Sequence, residues 1–166
     1  MPAQKHLANV FSNSKITCCF FRHKNAPSSV YEKLEEAVEK IIVDEGATLF
    51  LVGNQGRFGS MALSVLQKMK IKYPHISYNV ILVYIPREKD LWNLYEYGES
   101  MLPLGIESVN SRCAISWRNK WMVNEADVVI AYIAHSWGGA AGSSICASST
   151  RHPAENWRLT RSAIFL

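Results

Sequence analysis

Short apolar runs at 16–21, 47–52, 78–85 and 128–134 alternate with stretches whose apolar residues recur at helical spacing. Few folds accept that alternation. A continuous apolar run of strand formers is buried on both of its faces. Parallel strands joined by crossover helices supply cover on both sides. The expected architecture is therefore a Rossmann-like three-layer α/β fold, with a mostly parallel sheet of about five strands and helices on both faces. Its crossovers are expected to be right-handed.

Local signals place the remaining elements. Ser29 and Glu32 match a capping box, and Val30, Leu34, Val38, Ile41 and Ile42 then share a helix face until Gly46 stops it. A second helix is expected over 59–72, with Ala62, Val65, Leu66 and Met69 on one face and Tyr73-Pro74 at its end. Pro86 closes the third apolar run. Residues 86–110 show no periodicity, and a stretch that long in a compact domain is functional or holds structure of its own. Further helices are expected at 111–125 and 139–149, with a last strand at 162–166. The 166 residues suit one domain, taken as 16–166 behind a short leader at 1–15.

Composition argues against several classes. The chain is 48% hydrophobic and 19% charged, ordinary for a globular domain. Its net charge of +4 is spread along the chain, which favours solvated faces over a nucleic-acid surface. No apolar run reaches the roughly 18 residues of a membrane span, and 1–15 lack the apolar core of a signal peptide. Cys18, Cys19, Cys113 and Cys146 form no C-x-x-C pair. Reduced, mostly buried thiols in a cytoplasmic protein are the expectation, without a metal site.

Chemistry concentrates where the strands end. The segment from Asp127 to Gly142 reads as a buried strand, a turn at His135, Ser136 and Trp137, then Gly138, Gly139 and a small-residue helix start. In an open parallel sheet, ligands bind beyond the carboxyl ends of the strands. There, unpaired helix N–H groups and the helix dipole attract an anion, and glycine removes the Cβ that would keep a phosphate away. The first strand ends in Arg22, His23 and Lys24, and the second in Gly53, Asn54, Gln55 and Gly56. These turns share one edge of a parallel sheet, so they can converge on one pocket.

Each of them also has a plainer reading. Gly53-Asn-Gln-Gly56 is by itself a tight strand-to-helix turn. It is neither a Walker A loop nor the Gly-x-Gly-x-x-Gly dinucleotide fingerprint. Arg22 and Lys24 suit phosphate or a solvated basic turn equally. His23 and His135 titrate near neutrality and are acid–base candidates, although a lone histidine is more often structural. On the helix at 111–125, Ile115, Met122 and Trp121 are expected to pack. Arg118 and Asn119 lie beside that face; a helical arginine is usually exposed, and the alternative is that Arg118, which precedes the Gly-rich strand end, reaches the same pocket. Trp117, Trp121 and Trp137 either stack on a base or simply pack.

Several segments together resemble the SLOG superfamily of Rossmann-like nucleotide-binding proteins, and within it the YpsA-like branch. They are Thr17-Cys-Cys-Phe-Phe-x-His23, Val52-Gly-Asn-Gln-Gly56, Tyr73-Pro-His-Ile76, Ala114-Ile-Ser-x-Arg-Asn-x-Trp-Met122 and His135-Ser-Trp-Gly-Gly-Ala140. The likeness spans roughly residues 16–147, most of one domain. It implies a nucleotide or nucleotide derivative as ligand, no required cofactor, and a homodimer. The superfamily includes phosphoribohydrolases with an Arg-Lys pair on a helix and a Pro-Gly-Gly-x-Gly-Thr turn followed by glutamate. Arg118 resembles the first element, with Asn119 in place of lysine, and Gly138-Gly139 resemble the second. Ala140-Ala-Gly-Ser-Ser-Ile-Cys146 supplies no glutamate. The nearer branch carries Gly-His-Arg where this chain has Arg22-His23-Lys24, and an aspartate where it has Gly59.

Three functions follow as expectations. The first is a nucleotide-binding or sensing module that uses Arg22, His23, Gly53, Asn54, Gln55, Gly56, Arg118, Asn119, His135, Ser136, Gly138 and Gly139. The second is an N-glycoside or phosphoribose hydrolase, which would draw a carboxylate from Glu96, Glu99 or Glu107. The third is a protein-interaction scaffold with a degenerate pocket.

Overall fold

The computed structural model describes residues 15–22, 26–87, 99–132 and 162–166. Strands β1 (Ile16–Arg22), β2 (Ala47–Gly53), β3 (Ser77–Ile81), β4 (Glu99–Met101), β5 (Val128–Tyr132) and β6 (Ser162–Phe165) form a sheet in the order β4-β3-β2-β1-β5-β6. Every pairing is parallel. Helices α1 (Val30–Asp44), α2 (Gly56–Lys72) and α3 (Ala114–Glu125) complete the elements, with a 3-10 turn at Ile106–Ser108. The α/β expectation holds, with one more strand than anticipated. Strand β4 and the 3-10 turn both lie within 86–110, where the sequence shows no periodicity. Three residues are too few to display alternation.

The chain builds outward from β1 through β2 and β3 to β4, then returns to place β5 on the other side of β1. That reversal puts a topological switch point beside β1, with the carboxyl ends of the strands around it. Alternate side chains of β1 serve opposite faces, as the period of a strand requires. Cys18 and Phe20 join Leu34, Val38 and Ile41 of α1 and Ala62, Leu66 and Met69 of α2 in one core. Cys19 and Phe21 join Met122 in a second core, beneath α3. At the base of the sheet, Thr17 and Asp127 fasten β1 to the start of β5. The Thr17 N–H donates to Asp127 Oδ2 at 3.0 Å, and the Asp127 N–H donates to the Thr17 carbonyl at 2.8 Å.

Element boundaries differ from expectation in ways that have local causes. The capping box does not form. Ser29 takes helical angles (φ −62°, ψ −14°) and makes no side-chain cap bond. The Val30 and Tyr31 N–H groups instead donate to the carbonyls of Pro27 and Ser28, so a turn begun at Pro27 leads into the helix. At its other end Gly46 takes φ +70°, the left-handed position expected of a helix stop. Helix α2 begins at Gly56, not at 59, leaving only Asn54 and Gln55 between it and β2. Strand β3 ends at Ile81, short of 85, and the Leu82 N–H donates to the Met101 carbonyl. Leu82 and Val83 are nonetheless buried, whereas Tyr84 and Ile85 are exposed. An apolar run there reports burial beyond the strand that it predicts. Helix α3 begins at Ala114, where 111 was expected.

Salt bridges on the outer surface join α2 to α1, Lys68 to Glu35 and Lys72 to Glu39, and the Tyr73 hydroxyl donates to the same Glu39 at 2.7 Å. The Lys72 and Tyr73 contacts hold the Glu39 carboxyl below its usual range. Exposed pairs of this kind add little to stability.

Cys18 and Cys19 are buried and Cys113 is exposed. Burial pushes both buried thiols up, Cys19 to about 12 from an ordinary value of 9.0. Each holds its proton more tightly folded than unfolded, so its contribution is complete below the unfolded value and is lost as pH rises. For Cys19 the unfolding free energy is expected to fall between pH 9 and 12 by about 1.4 kcal/mol per pH unit, and Cys18 contributes with the same sign. Denaturant titrations across that range check this. Iodoacetamide at pH 8 should modify Cys113 in the native protein, and Cys18 and Cys19 only after unfolding. No helix among the described residues is long and apolar enough to cross a membrane.

Candidate ligand site

Beyond the carboxyl ends of β1 and β2 lies a cavity of about 390 Å³. Strand β1 contributes Phe20 and Phe21, strand β2 contributes Val52 and Gly53, and the link to α2 contributes Gln55. Gly56, Phe58 and Gly59 enter from the first turn of α2, and Ile115, Arg118, Asn119 and Met122 from α3. The wall is therefore part aromatic and aliphatic, part backbone amide, and part guanidinium and side-chain amide.

The start of α2 opens on the cavity. Gln55, at the N-cap, is extended (φ −116°, ψ 137°) and makes no side-chain cap hydrogen bond. Gly56 follows at φ +72°, in the left-handed region that glycine enters without strain. No acidic residue occupies the first turn. The amide groups and the positive end of the helix dipole thus meet the cavity without a carboxylate of their own helix beside them.

Arg118 is only 4% exposed. The sequence reading of α3 needs correction here. Ala114, Arg118 and Met122 form its buried face, while Ile115, expected to pack, is 45% exposed at the cavity. An arginine on an otherwise weakly amphipathic helix gives no signal that it points inward. Its Nη1 donates to the Ile81 carbonyl at 3.3 Å and to Asn54 Oδ1 at 3.4 Å. Its Nε and Nη2 donate to Asn119 Oδ1 at 3.2 and 2.9 Å. The guanidinium thereby ties α3 to the ends of β2 and β3.

Gly53 makes this possible. A Cβ at that position would lie 2.8 Å from Arg118 Nη2 and 2.9 Å from both Cζ and Nη1. The close approach that its missing side chain permits is therefore taken by arginine. Gly59 serves packing. A Cβ there would fall 2.5 Å from the Gly53 carbonyl oxygen, so its absence lets α2 sit directly on the end of β2. Gly53, Gly56 and Gly59 thus serve side-chain approach, a left-handed turn and helix–strand contact in that order.

Of the anticipated site residues, Gly53, Asn54, Gln55, Gly56, Arg118 and Asn119 are brought together. Arg22 ends β1 in register with Tyr132. Its side chain, and all of His23, His135, Ser136, Gly138 and Gly139, lie outside the described residues, as does the helix expected at 139–149. Sequence reasoning missed Phe20, Phe21, Val52, Phe58, Gly59 and Met122 as lining. Phe20, Phe21 and Val52 read as strand residues and Met122 as helix packing, and all four, with Phe58, also belong to the cores. Phe58 is 1% exposed and links Phe20 to Tyr132 through ring contacts of 6.5 and 6.3 Å. Trp117 packs against the small cluster of Val83, Ile106 and Ala114, and Trp121 against the core under α3. Trp137 lies outside the described residues. Glu99 and Glu107 are exposed and absent from the cavity lining, and Glu96 is outside the described residues. No group of three metal-ligating side chains occurs among the described residues.

No family model matches this chain, and no curated protein matches it.

Proposed function

We propose that the cavity binds a nucleotide or nucleotide-derived ligand and that the protein acts as a binding or sensing module. One observation carries the reading. A single cavity, placed at the carboxyl edge of a parallel sheet beside its switch point, joins the start of α2 to Arg118. A phosphate suits the first of these by hydrogen bonding to backbone amides and by the helix dipole. It suits the second by the fixed positive charge of the guanidinium at the cavity wall, whose N–H groups are already engaged by Asn119, Asn54 and the Ile81 carbonyl. Phe20, Phe21, Val52, Ile115 and Met122 offer an apolar wall for the flat part of such a ligand, the division of labour usual in small-molecule sites. The motif resemblance to the SLOG superfamily points the same way. Binding is favoured over glycoside hydrolysis because, of the three carboxylates that hydrolysis would borrow, the two within the described residues, Glu99 and Glu107, stand away from the cavity.

The test is a thermal-shift panel of nucleoside mono-, di- and triphosphates and nicotinamide dinucleotides, alongside mass spectrometry of the denatured protein for a co-purified nucleotide. A ligand at 100 times its Kd is expected to add about 2.7 kcal/mol of stability. A panel without any shift overturns the reading. Release of free base from a nucleoside monophosphate replaces it with the hydrolase.

A further inference from the structure

Arg118 is an expensive side chain to bury, and a helix offers it many rotamers. Something must select the one that crosses the end of β2. Two neighbouring residues do so from different directions. Asn119, the next residue along α3, accepts from both Nε and Nη2 with a single Oδ1, at 3.2 and 2.9 Å. One edge of the planar group is thereby fixed. Gly53 acts by what it lacks. Within 2.9 Å of where its Cβ would stand lie Nη2, Cζ and Nη1, so the guanidinium occupies the space a side chain would fill. Asn54 Oδ1 and the Ile81 carbonyl then receive Nη1.

We infer that Asn119 and Gly53 are positioning residues, which hold the Arg118 guanidinium in one orientation at the cavity wall before any ligand arrives. The inference rests on the ligand-binding reading for its purpose, but not for its geometry. Asn119 acts through Arg118, a role different from the direct ligand contact expected of it. Pre-setting the group lowers the ordering cost that a long side chain would otherwise impose on binding.

Nitrogen-15 NMR of the full chain gives the decisive readout. The Arg118 Nε–Hε resonance is identified by its loss in Arg118→Lys. In the wild type it should exchange slowly with solvent. Asn119→Ala and Gly53→Ala should each speed that exchange at least tenfold, while Asn119→Asp, which keeps an oxygen acceptor, should restore slow exchange. Gly53→Ala meets the movable end of a side chain, so it tests the idea even if Asn119→Ala does not fold. Unchanged Nε–Hε exchange in the Gly53→Ala protein, or in a folded Asn119→Ala protein, overturns the inference. Titration of the same samples with adenosine 5′-monophosphate separates the two claims. If the wild type shows no shift with this probe or with any nucleotide of the thermal panel, the ligand reading fails, and the exchange rates still decide the positioning. If the wild type binds, Asn119→Ala should weaken binding severalfold and Asn119→Asp should recover part of it.

Discussion

Arg118→Ala is expected to lower the unfolding free energy by roughly 2–4 kcal/mol and to weaken nucleotide binding at least tenfold. Both effects have one cause. The substitution strips the Ile81 carbonyl and the Asn54 and Asn119 side chains of their donors, and leaves a void against Gly53. A buried acceptor that loses its partner costs more than the bond was worth, because water does not replace it. Urea denaturation measures the first effect and calorimetric titration the second. Arg118→Lys separates them. Lysine keeps the charge but not the planar fork, so binding should suffer more than its modest stability change implies. Equal affinity in wild type and both variants would remove Arg118 from the site and leave it as a tie between α3 and the sheet.

Gly59→Ala should cost about 2–3 kcal/mol, although alanine is the better helix former by roughly 1 kcal/mol. The added methyl meets the Gly53 carbonyl oxygen at 2.5 Å, and that obstacle is backbone in a sheet strand. Neither partner can rotate away. Relief requires α2 to lift from the end of β2, which opens the contact among Phe58, Phe20 and Tyr132. Thermal and urea denaturation of the single variant check the value. A neutral or stabilising Gly59→Ala would mean that α2 already sits farther out. Lifting α2 also moves the amides at Gly56, so ligand affinity should drop with stability.

The fold was legible because its evidence is spread over many residues. Leu34, Val38 and Ile41 mark one helix and Ala62, Leu66 and Met69 another, and each apolar run between them could only be a buried strand. The boundaries were less legible, since they turn on single contacts. Pro27 began the first helix turn before Ser29 could cap it, and Leu82 and Val83 stayed buried after β3 had ended. Strand β4, at three residues, is too short for any pattern to show. Five of the anticipated site residues, Gly53, Gln55, Gly56, Arg118 and Asn119, line the cavity, and Asn54 bonds to Arg118 beside it. The glycines among them were read as turn formers, as Gly56 is at φ +72°. A glycine at a strand end signals that something approaches closely, without saying what. At Gly53 the approaching group is Arg118, sixty-five positions along the chain by the numbering. The inward turn of Arg118 was hidden for a similar reason. On a helix with Lys120 and Asn124 exposed nearby, only the distant acceptors at Asn54 and Ile81 distinguish it from a surface cation.

The fit of Arg118 against Gly53 makes the two positions a single heritable unit. Alanine at 53 displaces the guanidinium that lies across it, and with a short residue at 118 that particular conflict is gone. The order in which substitutions arise then matters. A lineage that first shortens position 118 can fill position 53 without that conflict, after which an arginine that returns has to take a different path. Position 53 would thus act as a ratchet on the chemistry of the site, recording whether an arginine was ever given up there.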